Sequence, residues 1–145
     1  MTTNKLVLAI DDDHAITDLL SIILHTHGFD VIAANTSEEG LQLITEKSPD
    51  VVTLDLMMPD INGWEMCKRI RTFSKIPILV LSAINDPDMV AKVLDAGADD
   101  FIVKPVPSAV LIARLNMLLR RSSGSSALKE PDNLKWVRGT APLSS

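Results

Sequence analysis

The sequence predicts an α/β fold, an open parallel sheet of five strands covered by five helices, occupying residues 1–121 of 145. Three observations carry that prediction. Short apolar runs such as Leu6-Val7-Leu8-Ala9-Ile10 and Val51-Val52-Thr53-Leu54 lack polar alternation, the pattern of strands buried on both faces. Stretches with apolar residues at helical spacing separate these runs. The connections are short, which suits strand-helix-strand units with right-handed crossovers.

Taken in order, residues 6–10 form the first strand and end in Asp11-Asp12-Asp13. Ile16, Leu19, Leu20, Ile23 and Leu24 then give one face of a helix over 15–27, and Gly28 stops it. Residues 30–34 are the second strand. Thr36-Ser37-Glu38-Glu39 fits a capping box, with Thr36 as N-cap and Glu39 reaching back, and opens a helix that runs to Lys47. Pro49-Asp50 and the turn Pro59-Asp60-Ile61-Asn62-Gly63 bound the third strand, 51–54, which delivers Asp55 to its tip. A helix over 64–72, a strand over 78–81 ending at Ser82, and a helix over 87–96 closed by Gly97 follow. The fifth strand, 101–103, ends at Lys104-Pro105, and Val110, Leu111, Leu115, Leu118 and Leu119 mark a last helix over 108–121.

Ser122-Ser123-Gly124-Ser125-Ser126 breaks the helical pattern as a flexible linker would. Residues 127–145 are too short to build a core. Their Leu134-Lys135-Trp136-Val137 reads as a strand of a following domain cut short, as an element docked on the sheet, or as a disordered end. Residues 122–145 are therefore expected to be a linker or tail, or the start of a truncated DNA-binding domain.

Composition narrows the function classes. A net charge of -5 argues against direct nucleic-acid binding by residues 1–121 and against binding to an anionic membrane. No apolar run approaches the roughly 20 residues of a membrane span, and the start has no signal-peptide pattern, so the expected location is the cytoplasm. The single Cys67 makes no internal disulfide and lacks a ligand cluster for zinc.

Doubly wound sheets bind ligands outside the carboxyl ends of their strands, where the strand order reverses. In the flavodoxin-like order 2-1-3-4-5 that crevice lies between strands one and three. Asp11 and Asp12, Asp55, Ser82 and Lys104 each end one of four strands, so all fall on one rim. Alone, an Asp run is a turn or helix cap, Ser82 a turn residue, Lys104 a surface lysine and Phe101 a core residue. Together they suit a phosphoryl group and Mg²⁺, with Mn²⁺ as a substitute. Crowded carboxylates need a cation, and Mg²⁺ takes one or two of them plus waters and phosphate oxygens. Asp12 and Asp55 are the expected direct ligands, Asp11 binds directly or through water, and the Met57 backbone carbonyl adds an oxygen. Asp55 is then the nucleophile for phosphorus, and Ser82 and Lys104 hold the phosphoryl oxygens.

With those residues assembled, residues 5–121 resemble the receiver domain of two-component response regulators, the CheY-like family with the flavodoxin-like fold. The acidic pair Asp11-Asp12, the phosphoacceptor Asp55, the hydroxyl residue Ser82 and the pair Lys104-Pro105 carry the likeness. The resemblance implies phosphate transfer from a phosphohistidine of a sensor histidine kinase, or of a phosphotransfer protein, to Asp55 with Mg²⁺ bound. It also implies a switch in which Ser82 moves toward the phosphate and Phe101 turns inward, and a cis Lys104-Pro105 peptide. Asp95-Ala96-Gly97-Ala98-Asp99-Asp100-Phe101 and the run from Ala113-Arg114-Leu115 to Arg120-Arg121 resemble the OmpR/PhoB-like branch of transcription factors. Members of that branch dimerise on phosphorylation through helix four, strand five and helix five. Pairs of Asp100 with Arg114 and of Asp99 with Arg121 would serve that face, while Val90 and Val110 stand where the branch usually has a basic and an acidic residue. Met57 and Ile84, both apolar, imply slow loss of the phosphoryl group.

Two rivals use the same residues. A haloacid-dehalogenase-like phosphatase also has a strand-end Asp, a hydroxyl, a Lys and Mg²⁺, but needs an acid-base Asp two residues after the nucleophile, where this chain has Met57. A receiver-like interaction module that never takes phosphate usually lacks one of the acids, the hydroxyl or the lysine, and here none is missing. The expected protein is thus a phosphoacceptor and not an enzyme with small-molecule turnover.

Overall fold

The computed structural model describes residues 4–127. Its elements are β1 (Leu6–Ile10), α1 (His14–Thr26), β2 (Asp30–Ala34), α2 (Ser37–Lys47), β3 (Val51–Asp55), α3 (Gly63–Arg71), β4 (Ile78–Ser82), α4 (Pro87–Asp95), β5 (Asp100–Val103) and α5 (Ser108–Ala127). The strands are all parallel, in the expected order β2-β1-β3-β4-β5.

Alternation along the buried strands divides the core in two. Leu8, Ile10, Val52, Leu54, Ile78 and Val80 point to the side of α2, α3 and α4, where Ile44, Met66, Cys67, Ile70 and Val93 meet them. Val7, Ala9, Val51, Leu79 and Leu81 point the other way, onto Leu20 and Leu24 of α1 and Leu111, Leu115, Leu118 and Leu119 of α5. Each fully buried Leu, Ile or Val contributes about 1.5–3 kcal/mol relative to exposure, so both helix layers are held chiefly by these contacts. Cys67 lies in the first layer, and burial pushes its thiol up to about 11, which suits packing rather than redox chemistry.

Helix starts are fixed by side chains. Asp13, Thr36, Asn62 and Asp86 each accept a backbone N–H of the following turn. The second arm of the expected capping box differs: Glu39 Oε1 accepts from Asn35 N at 2.9 Å, one residue before the cap. Gly28 and Gly97 end α1 and α4 with φ of 88° and 120°.

The predicted break at Ser122 is corrected, because α5 continues through Ser122–Ser126 to Ala127. Once a helix exists, each added residue gains a hydrogen bond, while serine costs only about 0.5 kcal/mol and glycine about 1 kcal/mol relative to alanine. With no proline in the run, nothing forces a stop. The Leu134-Lys135-Trp136-Val137 stretch lies outside the described residues.

Candidate functional site

The register brings the predicted residues to one edge of the sheet. Ile10 lies opposite Leu54, Asp55 opposite Leu81, and Ser82 opposite Val103, so the residues leaving β1, β3, β4 and β5 emerge together. Carboxylate oxygens of Asp11, Asp12 and Asp55 all lie within 4.8 Å of one another, a group able to hold a metal ion. Lys104 Nζ reaches between two of them, 3.2 Å from Asp11 Oδ2 and 3.4 Å from Asp55 Oδ1.

Three acids and one ammonium leave this pocket short of positive charge. Burial raises the Asp55 carboxyl above its ordinary value; Lys104 opposes the rise and Asp11 adds to it. Burial alone would lower the Lys104 ammonium, but Asp55 and then Asp11 outweigh it and hold the lysine above its ordinary value. Both partners of one ion pair shift upward because burial outweighs the lysine at Asp55, while the two carboxylates together outweigh burial at Lys104. A divalent ion would meet the shortfall, and its donor set would be all oxygen, as Mg²⁺ prefers.

Asp11 is 4% exposed and fixed on every side. Its N–H donates to Ala34 O at 3.0 Å, its carbonyl accepts from Asn35 Nδ2 at 2.8 Å, and its Oδ1 accepts from Asp13 N at 3.0 Å. Asp12 is exposed and faces the same space.

The loop after Asp55 folds back tightly. Met57 and Asn62 form an antiparallel bridge, and Gly63 N donates to Leu56 O at 2.6 Å. A Cβ on Gly63 would lie 2.8 Å from Leu56 Cα, so this closure requires glycine. The Met57 side chain is 51% exposed, which leaves its main chain as what the loop can offer the site.

Ser82 is fully buried, and its Oγ accepts from Ile84 N at 3.0 Å instead of reaching Asp55 or Lys104. Its carbonyl accepts from Lys104 N at 2.8 Å, which couples the two strand ends through the main chain. The Lys104–Pro105 peptide is cis. Phe101 is half-buried against the α2, α3 and α4 layer.

On the face formed by α4, β5 and α5, Val90 is half-buried and Val110 exposed. Arg114 pairs with Asp100 at 3.0 Å within the chain. Asp99 lines one cleft with Arg121, yet its ion pair is with Arg71, at 3.0 Å. Residues that sequence reasoning did not single out therefore include Arg71, and also Asn35, Ser37 and Asp60, whose partners lie far away in the chain. Asp60 Oδ2 accepts from Ser37 N at 3.1 Å, across 23 residues. His14, His25 and His27 are exposed, and Trp64 packs under Lys92, whose Nζ is 4.1 Å from the ring centroid.

The sequence and the fold resemble those of known proteins. Residues 7–116 match the family described as response regulator receiver domain. The transcriptional regulatory protein AfsQ1 of Streptomyces coelicolor is 44% identical over 120 residues, covering 83% of this chain and 53% of that protein. The DNA-binding response regulator MtrA of Mycolicibacterium smegmatis is 36% identical over 126 residues, covering 87% of this chain and 55% of that protein. The chain thus spans about half the length of these relatives. A two-component response regulator from Clostridium difficile superposes with a TM-score of 0.79 at 29% identity, covering 82% of this chain and 98% of that one.

Proposed function

Because the chain belongs to the response regulator receiver domain family, we propose that Asp55 takes a phosphoryl group from a sensor histidine kinase or phosphotransfer protein and that this changes the chain's output. The observation that carries the reading is the Lys104 ammonium shared between Asp11 and Asp55, beside a carboxylate cluster that can hold a metal. Asp55 Oδ attacks phosphorus as the phosphorus–nitrogen bond of the phosphohistidine breaks, and the imidazole leaves with the electron pair and takes up a proton from solvent. Asp12, Asp55 and the Met57 carbonyl would hold Mg²⁺, with Asp11 directly or through water. The ion supplies charge neutralisation on the transferring oxygens.

Lys104 turns from Asp55 toward a phosphoryl oxygen, and Ser82 gives up Ile84 N to donate to another, which makes its buried hydroxyl the moving part. Phe101, half-buried on the edge strand, follows it inward. A groove beside Lys104, lined by Ile16, Leu19, Ile23, Pro105 and Val106, offers the donor apolar contact next to the phosphoacceptor.

The names of the two relatives favour transcription as the output and suit the OmpR/PhoB-like branch. Phosphorylation then promotes a homodimer through Val90, Asp99, Asp100, Val110, Arg114 and Arg121. Asp99 would have to leave Arg71 to pair with Arg121 of a second copy. The expectation that residues 1–121 avoid nucleic acid rests on charge, and the name of MtrA gives it no support. Residues beyond 121 are assigned to a connection toward an effector domain, of which α5 contributes the first turns. No helix among the described residues is long and apolar enough to cross a membrane, and the cytoplasm is the assigned location. Small-molecule turnover is not part of this reading, since Met57 occupies the position an ester-cleaving acid would need.

Incubation with phosphoramidate or acetyl phosphate and Mg²⁺, followed by intact mass measurement, tests the reading. The parent is expected to gain one phosphoryl group and Asp55→Asn none. An equal gain in Asp55→Asn, or sustained turnover of phosphate monoesters by the parent, would overturn it.

A further inference from the structure

One acid ties the β3–α3 loop to the rest of the protein without belonging to the carboxylate cluster. Asp60, at the tip of the loop, accepts through Oδ2 from both the N–H of Ser37, at 3.1 Å, and its hydroxyl, at 2.5 Å. Ser37 is the first residue of α2 and is 7% exposed. The N–H groups of a first helical turn lack partners within the helix and carry partial positive charge, so a carboxylate is well placed there. Here that carboxylate comes from the loop that carries Met57.

The same helix start also holds the opposite wall of the site. Asn35 Nδ2 donates to the Asp11 carbonyl at 2.8 Å, and Glu39 Oε1 fixes Asn35 by accepting its N–H at 2.9 Å. The start of α2 therefore grips the segment bearing Asp11 and Asp12 on one side and the loop bearing Met57 on the other. At its base the loop is closed by the Met57–Asn62 bridge and the Gly63 N to Leu56 O bond. With the base fixed, the point at which the tip is anchored determines how the loop lies over the rim.

We propose that Asp60 is a positioning residue for the cation site: bonded to Ser37, it sets the loop so that the Met57 carbonyl meets an ion held by Asp12 and Asp55. This rests on the assignment of Met57 as a ligand. Asp60 touches no metal and acts through the geometry of the loop. Its carboxylate charge is secondary to the two hydrogen bonds it accepts.

Binding of Mn²⁺ to the whole chain, read from the electron paramagnetic resonance signal of the free ion, tests the proposal in the absence of any phosphodonor. Asp60→Ala is expected to weaken binding about 10-fold, as loss of a group that orients a metal ligand commonly does. Asp60→Asn keeps an oxygen that accepts the same two bonds, and is expected to stay within about threefold of the parent. Parent-like affinity in Asp60→Ala would overturn the proposal, and so would an equal loss in Asp60→Asn and Asp60→Ala, which would mark a charge effect alone. If Asp60→Ala does not fold, Ser37→Ala decides, with weakened binding expected and unchanged binding overturning. A parent that shows no saturable binding, or an Asp55→Asn variant that binds as tightly as the parent, refutes the cation site itself and the proposal with it. That outcome differs from the others because it does not depend on Asp60.

Discussion

At the carboxyl edge of the sheet, Lys104 faces Asp11 and Asp55 at 3.2 and 3.4 Å, with Asp12 close by. At the opposite edge, Arg71 faces Asp99 at 3.0 Å. Both cations are partly buried at the end of an element, yet their surroundings differ. Arg71 spends its remaining donors on carbonyls: Nε on Gly97 at 3.0 Å, and Nη1 on Ser74 at 3.2 Å and Ile76 at 2.7 Å. Asp99 is matched in the same way, taking Ile78 N at 2.8 Å beside the guanidinium. One corner is balanced in charge and engages four of the five guanidinium N–H groups; the other has surplus acid and longer contacts. The difference separates an ion pair that closes a structure from one that leaves acid to spare.

Removing the closed pair should produce the larger loss of stability. Arg71→Ala is expected to cost about 2 kcal/mol, because several charge-assisted bonds to carbonyls vanish together, while Asp99, about a third exposed, can turn to solvent. Arg71→Lys should recover only part of it, since an ammonium cannot reproduce the planar fork. Urea unfolding at neutral pH measures both, and Mn²⁺ affinity of the folded variants should stay at the parent value. A loss below about 1 kcal/mol for Arg71→Ala would remove the contrast between the two corners.

At the open corner the sign reverses. Asp55→Asn is expected to stabilise the metal-free protein by about 1 kcal/mol at neutral pH, as relief of a functional site commonly does. The pH dependence follows from the raised Asp55 carboxyl. A carboxyl that holds its proton more tightly when folded favours folding most below its unfolded value, and that contribution is lost as pH rises from there through the folded value. Parent and variant should therefore converge in acid and separate as pH climbs above the ordinary 3.8. Thermal unfolding in chelator across that range checks it, and a variant less stable than the parent at neutral pH would show that Lys104 already balances the acids.

The two corners were unequally legible in the sequence. Asp11, Asp12, Asp55 and Lys104 could be placed because a parallel sheet sends every strand end to one rim, and apolar runs located those ends without any contact being known. The same logic placed Ser82 on the rim but could not show its hydroxyl turned to Ile84 N, which depends on a rotamer. Arg71 was invisible for a different reason. It lies on α3 among other basic residues, and its acid partner and all three of its carbonyl partners arrive from the connections leading into β4 and β5. Asp60 stood inside a recognised turn, yet its partner Ser37 is brought close by the pairing of β2 and β3 on either side of β1. Serine and glycine suggested a linker after residue 121, whereas α5 continues because local propensity is a weak force on an established helix.

Arg114 and Asp100 offer the finest comparison, since their pair shares the 3.0 Å distance of the closed corner but has the more exposed cation. The Arg114 side chain is 46% exposed, against 24% for Arg71; Asp100 is the more enclosed acid, 15% against 34% for Asp99, but it keeps a bond from Phe101 N at 2.8 Å when the arginine leaves. Exposed pairs contribute about 0–1 kcal/mol, so Arg114→Ala should shift unfolding by less than about 0.5 kcal/mol. Its effect should appear instead in self-association of the phosphorylated chain, because Arg114 can leave Asp100 for a second copy at almost no cost to the monomer. Sedimentation of phosphorylated parent and variant, beside their urea curves, distinguishes the roles: weaker association with unchanged stability marks an interface residue. A stability loss near that of Arg71→Ala would instead mean that exposure is a poor guide to which ion pairs hold this fold.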